Sequence, residues 1–412
     1  MKKVYYQLEM YQKSPLRIGN GDNEIADSDL MVDAKGCPFI PGSSVAGVLR
    51  DLYTRRNPDV SEEEVNNLFG YIEGKQLSES HILVSDATGP ENASPSDYFI
   101  TVRDGIRLDE WGTAVSENKY DFQVTETKKP YYTVLEWTGE DKDWKTEIVN
   151  GLEPLMSDIA AKGISFGAGT TRGYGKMEVS IRKKEFDFPQ DIQAWLKFDP
   201  LTREAFEKER VLEAKGLGDA EIKIQAEIKV ERSFSVPVCN YEEKPLISGT
   251  SWAGIFRHHM RAILRNLGLD RAERCGTELN LLFGMGEAEG EHIRSGICFG
   301  ETVVDGSIPY SIQRNAVDRF TQAPRNTALF LNELWNGGKG RLDITVERSR
   351  INKLQAQLLA ISLIDLDLGL MTFGGGTGVG LGRCRISCIK VNGKDFTQNI
   401  KKQDSNFLEE YL

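Results

Sequence analysis

The chain has no apolar run long enough to cross a membrane as a helix, which takes about 18 or more residues. None of its six cysteines forms a Cys-x-x-Cys pair, which argues against a zinc ribbon or a thioredoxin-like motif. The four histidines, His81, His258, His259 and His292, are too scattered to suggest a metal centre. The opening segment, MKKVYYQLEM, lacks the apolar core of a signal peptide and alternates as a strand does. A cytoplasmic protein with reduced core thiols and no membrane partner is the expectation. Cys384 and Cys388, in RCRISCIKV, fall on one face if that strand alternates regularly. Positive charge is also scarce: 51 Lys and Arg stand against 62 Asp and Glu, a net charge of −11. Taken whole, that argues against nucleic-acid binding, so the local distribution of charge decides.

Glycine is plentiful, with 40 residues in 412, and it clusters. PGSSVAGVLR at 41–50 matches SGTSWAGIFR at 248–257, and GISFGAGTTRGYGKMEV at 163–179 matches GLMTFGGGTGVGLGRCRI at 369–386. Both pairs of blocks are offset by 207 residues. Between them, Asn67-Leu68-Phe69-Gly70 resembles Leu281-Leu282-Phe283-Gly284, and a block beginning at Arg103 resembles one beginning at Arg314. Four blocks in the same order indicate an internal duplication.

Each copy reads as strand, helix, strand, long insertion, helix, glycine loop, strand. Val45, Val48, Leu49, Leu52 and Tyr53 have helical spacing, as do Trp252, Ile255, Phe256 and Ile263. The insertions run over about 100–138 and 311–345, and the second helices over about 144–162 and 349–367. The order βαββαβ is the ferredoxin-like plan. The expected fold is therefore α+β, with two tandem ferredoxin-like (RRM-like) domains at 1–185 and 219–391. A charged connector occupies 186–218 and a tail 392–412.

The acidic total hides four stretches with no Asp or Glu: 34–50, 164–177, 246–269 and 369–394. Arg50, Arg172, Lys176, Arg257 and Arg383 fall in them. Ser43 and Ser44, and Thr250 and Ser251, read as N-caps of the first helix in each copy. Helix N-termini and exposed loop N–H groups attract phosphate. Gly167, Gly169, Gly374 and Gly376 would let the backbone approach a ligand closely. Matching loops and helix starts in both copies point to a nucleic-acid track. The competing explanation is that the glycines make tight turns against the opening strand.

Together these residues resemble the RAMP proteins of CRISPR systems, most closely the backbone subunits of type III effector complexes. The resemblance covers about 3–183 and 220–391, and two such units in one chain resemble fused backbone proteins. It is carried by Leu16-Arg17-Ile18-Gly19, Pro41-Gly42-Ser43-Ser44, Val317-Asp318-Arg319-Phe320-Thr321 and the two glycine loops. It implies a subunit that stacks along a guide RNA beside other complex subunits. Its palm would hold the guide and its thumb hairpins would kink the duplex with complementary target RNA. The thumbs would be the two insertions. Arg17 lies in one matching motif, and Arg103, Arg107, Trp111, Arg314, Arg319 and Phe320 would contact phosphate or wedge against bases.

In active members of that family, an aspartate in the loop after the first strand supports cleavage of target RNA with Mg²⁺ or another divalent cation. The loop here reads Ile25-Ala26-Asp27-Ser28-Asp29-Leu30-Met31-Val32-Asp33. Aligning Asp33 with the family's later acid places Asp27 at the catalytic position and Asp29 where the family has proline; without that proline the register can shift by two residues, which makes Asp29 the alternative catalytic acid. Asp27 is also the possible metal ligand. The equivalent loop of the second copy, Ser233 to Leu246, is about eleven residues shorter and has no aspartate. One endoribonuclease copy and one structural copy are expected. The alternatives are a purely structural guide-binding subunit, a guide-processing endonuclease using a histidine, and a protein of this fold with no nucleic-acid role.

Overall fold

The computed structural model describes the chain except for residues 22–23, 74–75, 109–113, 208, 210, 213–220, 239, 241, 270–271 and 286–292. At 73, 76, 107–108, 114–115, 117–118, 272–276 and 326–328 it describes the backbone alone. Two compact units emerge: Met1–Thr170 with Tyr174–Gly218, and Asp219–Leu412 with Thr171–Gly173.

The first unit runs β1 Lys2–Gln12, α1 Gly42–Arg56, α2 Glu62–Phe69, β2 Ile82–Val84, β3 Tyr98–Leu108, β4 Ala114–Thr127, β5 Tyr131–Gly139, α3 Glu153–Lys162 and β6 Lys176–Asp187. The main sheet has the order β2-β5-β1-β6, with every neighbouring pair antiparallel. That is the ferredoxin-like arrangement, with the first strand central. Val4, Tyr6, Leu8 and Met10 alternate onto the face that meets the helices. Val45, Leu49 and Tyr53 recur every fourth residue and give α1 its buried stripe.

The second unit repeats the plan: β7 Glu221–Val230, α4 Gly249–Asn266, α5 Ala272–Phe283, β8 Ile297–Phe299, β9 Ile308–Val317, β10 Pro324–Asn336, β11 Lys339–Glu347, α6 Lys353–Leu368 and β12 Cys384–Val391. Its sheet order is β8-β11-β7-β12. Trp252, Phe256, Met260 and Leu264 form the stripe of α4. Both units therefore have the expected tandem ferredoxin-like fold, with β3–β4 and β9–β10 as the hairpin insertions.

Four local expectations change. The third core strands, β5 and β11, lie inside the stretches read as insertions, so each hairpin ends before them. Helices α2 and α5 follow the first helix of each copy and were not expected. The first helices start earlier than Ser43/Ser44 and Thr250/Ser251 predict: Pro41 precedes α1 with no side-chain cap, and Ser248 caps α4 by accepting from Ser251 N–H. Finally, a bulge between Glu227 and Ile228 shifts the β7–β12 register. It leaves Cys384 fully buried and turns half-buried Cys388 to the other face, opposite Glu227. Burial pushes the Cys384 thiol up to about 12.

The outer sheet faces differ. In the first unit, Phe186 of β6 and Phe206 of the connector are buried with Tyr5 and Val134, and Phe188, Trp195 and Phe198 pack against them. Trp195 Nε1 donates to Tyr5 Oη at 2.9 Å, and Arg203 pairs with buried Glu9 at 3.0 Å. In the second unit the outer residues of β7, Lys223, Gln225, Glu227 and Lys229, are exposed. The final segment packs into that unit's core through Phe396, Ile400, Phe407 and Leu408. No helix among the described residues is long and apolar enough to cross a membrane.

Candidate ribonuclease loop and nucleic-acid interface

Between β1 and α1 lie residues 13–41, 29 in all; between β7 and α4 lie residues 231–248, which number 18. The longer loop contains both candidate acids, and they sit differently. Asp29 is 7% exposed. Its Oδ2 accepts from Glu24 N–H at 2.8 Å and Ile25 N–H at 3.1 Å, and its Oδ1 from Ala26 N–H at 2.9 Å. Burial works to raise its carboxyl, but the three backbone donors outweigh burial and hold it below the usual aspartate value. Asp29 organises the loop with both oxygens engaged.

Asp27 is exposed. Its Oδ2 accepts from Asp121 N–H at 2.9 Å, and its own N–H donates to Asp121 Oδ1 at 2.7 Å. Its Oδ1 has no partner among the described residues. Asp121 is on the hairpin strand β4, 94 residues away, and only the fold reveals it. Gln123, two residues on, accepts from Leu30 N–H at 3.0 Å and donates its own N–H to the Ser28 carbonyl at 3.0 Å. The short loop keeps an organiser but no Asp27. Asn240, 5% exposed, accepts from Glu242 N–H at 3.0 Å and Lys244 N–H at 3.2 Å.

The glycine loops are fastened to the opening segment by matching backbone bonds. Gly167 and Gly374 have φ of +80° and +75°, and a Cβ on either would collide with a carbonyl of the segment after the opening strand, Arg17 or Ser235. The next N–H donates to that same carbonyl at 2.8 Å in both units, from Ala168 and from Gly375. Gly169 and Gly376 accept from Tyr174 and Leu381 N–H, each at 3.3 Å. These N–H groups face protein. The loops are tight turns fastened to the opening segment, and glycine is there because a side chain would clash.

Several arginines expected at RNA have protein partners. Arg50 donates to the Gly70 carbonyl and to Asn66 Oδ1 on α2, and Arg257 donates to Asn280 Oδ1 on α5 at 2.8 Å. The duplication has preserved a latch between the first two helices of each unit. Arg103 is 5% exposed, bonds Glu126 at 3.1 Å and lies over the Tyr174 ring. Arg17 stacks 4.1 Å above the Phe122 ring. Arg383 is half-buried. At the start of α1, Gly42 N–H donates to Asp86 Oδ1 at 2.7 Å, so a carboxylate already stands at that helix N-terminus.

Other candidates face solvent. Arg172, Lys176, Ser43, Ser251 and Arg319 are exposed, and Ser44, Thr250 and Arg314 are half-exposed. Phe320 is 96% exposed at the tip of the β9–β10 hairpin. Asp318 Oδ1 makes that tip by accepting from Phe320 N–H at 3.0 Å and Thr321 N–H at 2.9 Å. Trp111 and the Arg107 side chain lie outside the described residues. His81 Nδ1 and Glu147 are 2.9 Å apart, and His259 Nε2 lies 2.7 Å from Asp365.

Over 195 residues the chain is 27% identical to the CRISPR system Cms endoribonuclease Csm3 of Methanocaldococcus jannaschii, a stretch covering 40% of this chain and 70% of that protein. The model of the RAMP superfamily matches residues 11–178 and 237–385, one region within each repeat. With the same sheet order in both units, the chain belongs to the RAMP superfamily and joins two of its units in one polypeptide.

Proposed function

We propose that this chain is a guide-RNA-binding backbone subunit of a type III CRISPR effector complex, and that its 24–30 loop cleaves RNA paired to the guide. Similarity to an endoribonuclease Csm3 supports the setting, and two RAMP matches support a subunit equivalent to two backbone positions. The partners are the guide RNA, complementary target RNA and other subunits of the complex. The observation that carries the catalytic part is the contrast between the two acids. Asp29 has both oxygens occupied by backbone donors, whereas exposed Asp27 keeps one oxygen without a partner among the described residues. Asp27 is therefore the cleaving acid and Asp29 the residue that shapes its loop.

A divalent cation fits this loop. Asp27 supplies hard carboxylate oxygen, and Mg²⁺ commonly takes only one or two protein carboxylates and completes its shell with phosphate and water. Bound there, it would neutralise charge on the scissile phosphate. Among the described residues no cluster of three or more metal-ligating side chains occurs, so the RNA itself would complete the site. The chain's own part is to hold the Asp27 carboxylate in a fixed orientation. The exposed cations Arg172, Lys176 and Arg319 would contact phosphate, and Phe320 would wedge against bases.

The test is a complex reconstituted with guide RNA and given an end-labelled complementary RNA. Asp27→Ala removes one set of Mg²⁺-dependent cuts and leaves RNA binding intact. Persistence of every cut would overturn the assignment.

A further inference from the structure

Besides the bonds the acidic loop makes within itself, two pairs of bonds reach it from β4, the returning strand of the first hairpin. We propose that Asp121, supported by Gln123, is the positioning residue for Asp27, so that the hairpin sets the geometry of the cleaving acid. This rests on the reading of Asp27 given above and adds to it a residue that no sequence motif marks.

Asp121 and Asp27 hold each other by reciprocal bonds: side chain to main chain at 2.7 Å in one direction and 2.9 Å in the other. The first bond fixes the Asp27 backbone. The second fixes one carboxylate oxygen and thereby directs the other outward. Gln123, 9% exposed, makes a second pair of bonds to Ser28 and Leu30. The loop is thus tied at Asp27 and, just after it, at Ser28 and Leu30 to two residues on one strand.

That strand is itself anchored. Phe122 is 3% exposed, lies under the Arg17 guanidinium and meets the Tyr174 ring edge-on at 6.0 Å. Val124 is fully buried. Thr125 exchanges backbone bonds with Leu16, both at 2.9 Å. Beyond this base, Asp121 pairs across the hairpin with Asp104. Asp121 therefore sits where the anchored part of the hairpin gives way to its outward arm. Any displacement of the arm by bound RNA reaches Asp27 through these bonds. In the second unit the hairpin base pairs instead with Ser233 and Phe234, and no aspartate stands in its loop.

The experiment measures single-turnover cleavage and RNA affinity in the reconstituted complex, with an RNA complementary to the loaded guide. Asp121→Ala removes the acceptor of the Asp27 N–H. Its cleavage rate falls about tenfold, the size of one lost hydrogen bond, while RNA affinity stays unchanged. Asp121→Asn keeps an acceptor oxygen and recovers the rate to within about twofold. A normal rate in Asp121→Ala overturns the proposal. So does an Asp121→Asn variant as inactive as Asp27→Ala, because the charge rather than the acceptor would then be needed. Where Asp121→Ala does not assemble, Gln123→Ala tests the same tie at Leu30 and is expected to slow cleavage in the same way; a normal rate there counts against the proposal. Asp27→Ala separates the two levels. If it cleaves normally, the reading of the loop fails and this proposal with it. If it is inactive while Asp121→Ala is normal, the positioning role alone fails.

Discussion

The two units share what a sheet and its helices require and differ where chemistry is proposed. Both have the same strand order, and both fasten the glycine loop to the opening segment by the same bonds. Both latch the first helix to the second through an arginine and an asparagine. Asp158 and Asp365, again 207 residues apart, each meet a side chain from the first helix, Arg56 at 2.9 Å and His259 at 2.7 Å. The units part company in the loop after the first strand and in the cover over the outer sheet face. The duplication therefore records scaffold. Its acid-free blocks hold the glycine turns and the latch arginines, so these residues serve folding.

The largest expected effect tests the shared scaffold. Gly175 and Gly382 have φ of +70° and +76°, and a Cβ on either would collide with the carbonyl of Phe166 or Phe373. Gly175→Ala and Gly382→Ala should each cost about 3 kcal/mol or more, measured by denaturant unfolding of the full chain. A large inequality between them would break the equivalence of the two loops. Next, Arg50→Ala and Arg257→Ala should each cost about 1–2 kcal/mol with RNA affinity unchanged. A loss of affinity without a loss of stability would return both arginines to the RNA surface.

A smaller effect separates the loop organisers. The Asp29 carboxyl lies below its ordinary value because folding favours its charged form. Its contribution is present above the unfolded aspartate pKa of about 3.9 and is lost as pH falls through the lowered folded value. Proteolysis or hydrogen exchange of residues 24–30 should therefore rise in that acid window. The Asn240 loop, whose organiser carries no charge, should not follow it. The smallest effect on stability is at the second hairpin's tip: Phe320→Ala should change unfolding by less than about 0.5 kcal/mol and weaken RNA binding.

Much of this architecture was legible in the sequence, because periodicity and glycine spacing report backbone needs directly. Val45, Leu49 and Tyr53 announce a buried helix face, and Gly167 with Gly374 announces a repeated turn. Strand β5 was hidden because it follows the hairpin with only three residues between them, so one long insertion was read. The aromatic residues Phe186, Trp195, Phe198 and Phe206 were the overlooked sign that the connector packs on a surface. At the site, the loop and its two acids were legible, but their roles were not. Which carboxylate turns inward depends on Glu24, Ile25 and Ala26 offering their N–H groups to one side chain. Asp121 was invisible for a different reason: hairpin pairing brings it to Asp27 from 94 residues away, and no local pattern marks such a contact. The sequence offers Arg103 as an RNA contact because nothing local marks its partner Glu126, which lies across the same hairpin.

The central claim is that chemistry resides in one unit alone. Its most direct test maps every cut made in a complementary RNA by complexes carrying either Asp27→Ala or the double variant Glu242→Ala/Glu243→Ala, the only acids between Ser233 and Leu246. Asp27→Ala should lose this subunit's cuts, and the double variant should retain them all at the wild-type rate. Cuts that survive Asp27→Ala and disappear in the double variant would contradict the claim.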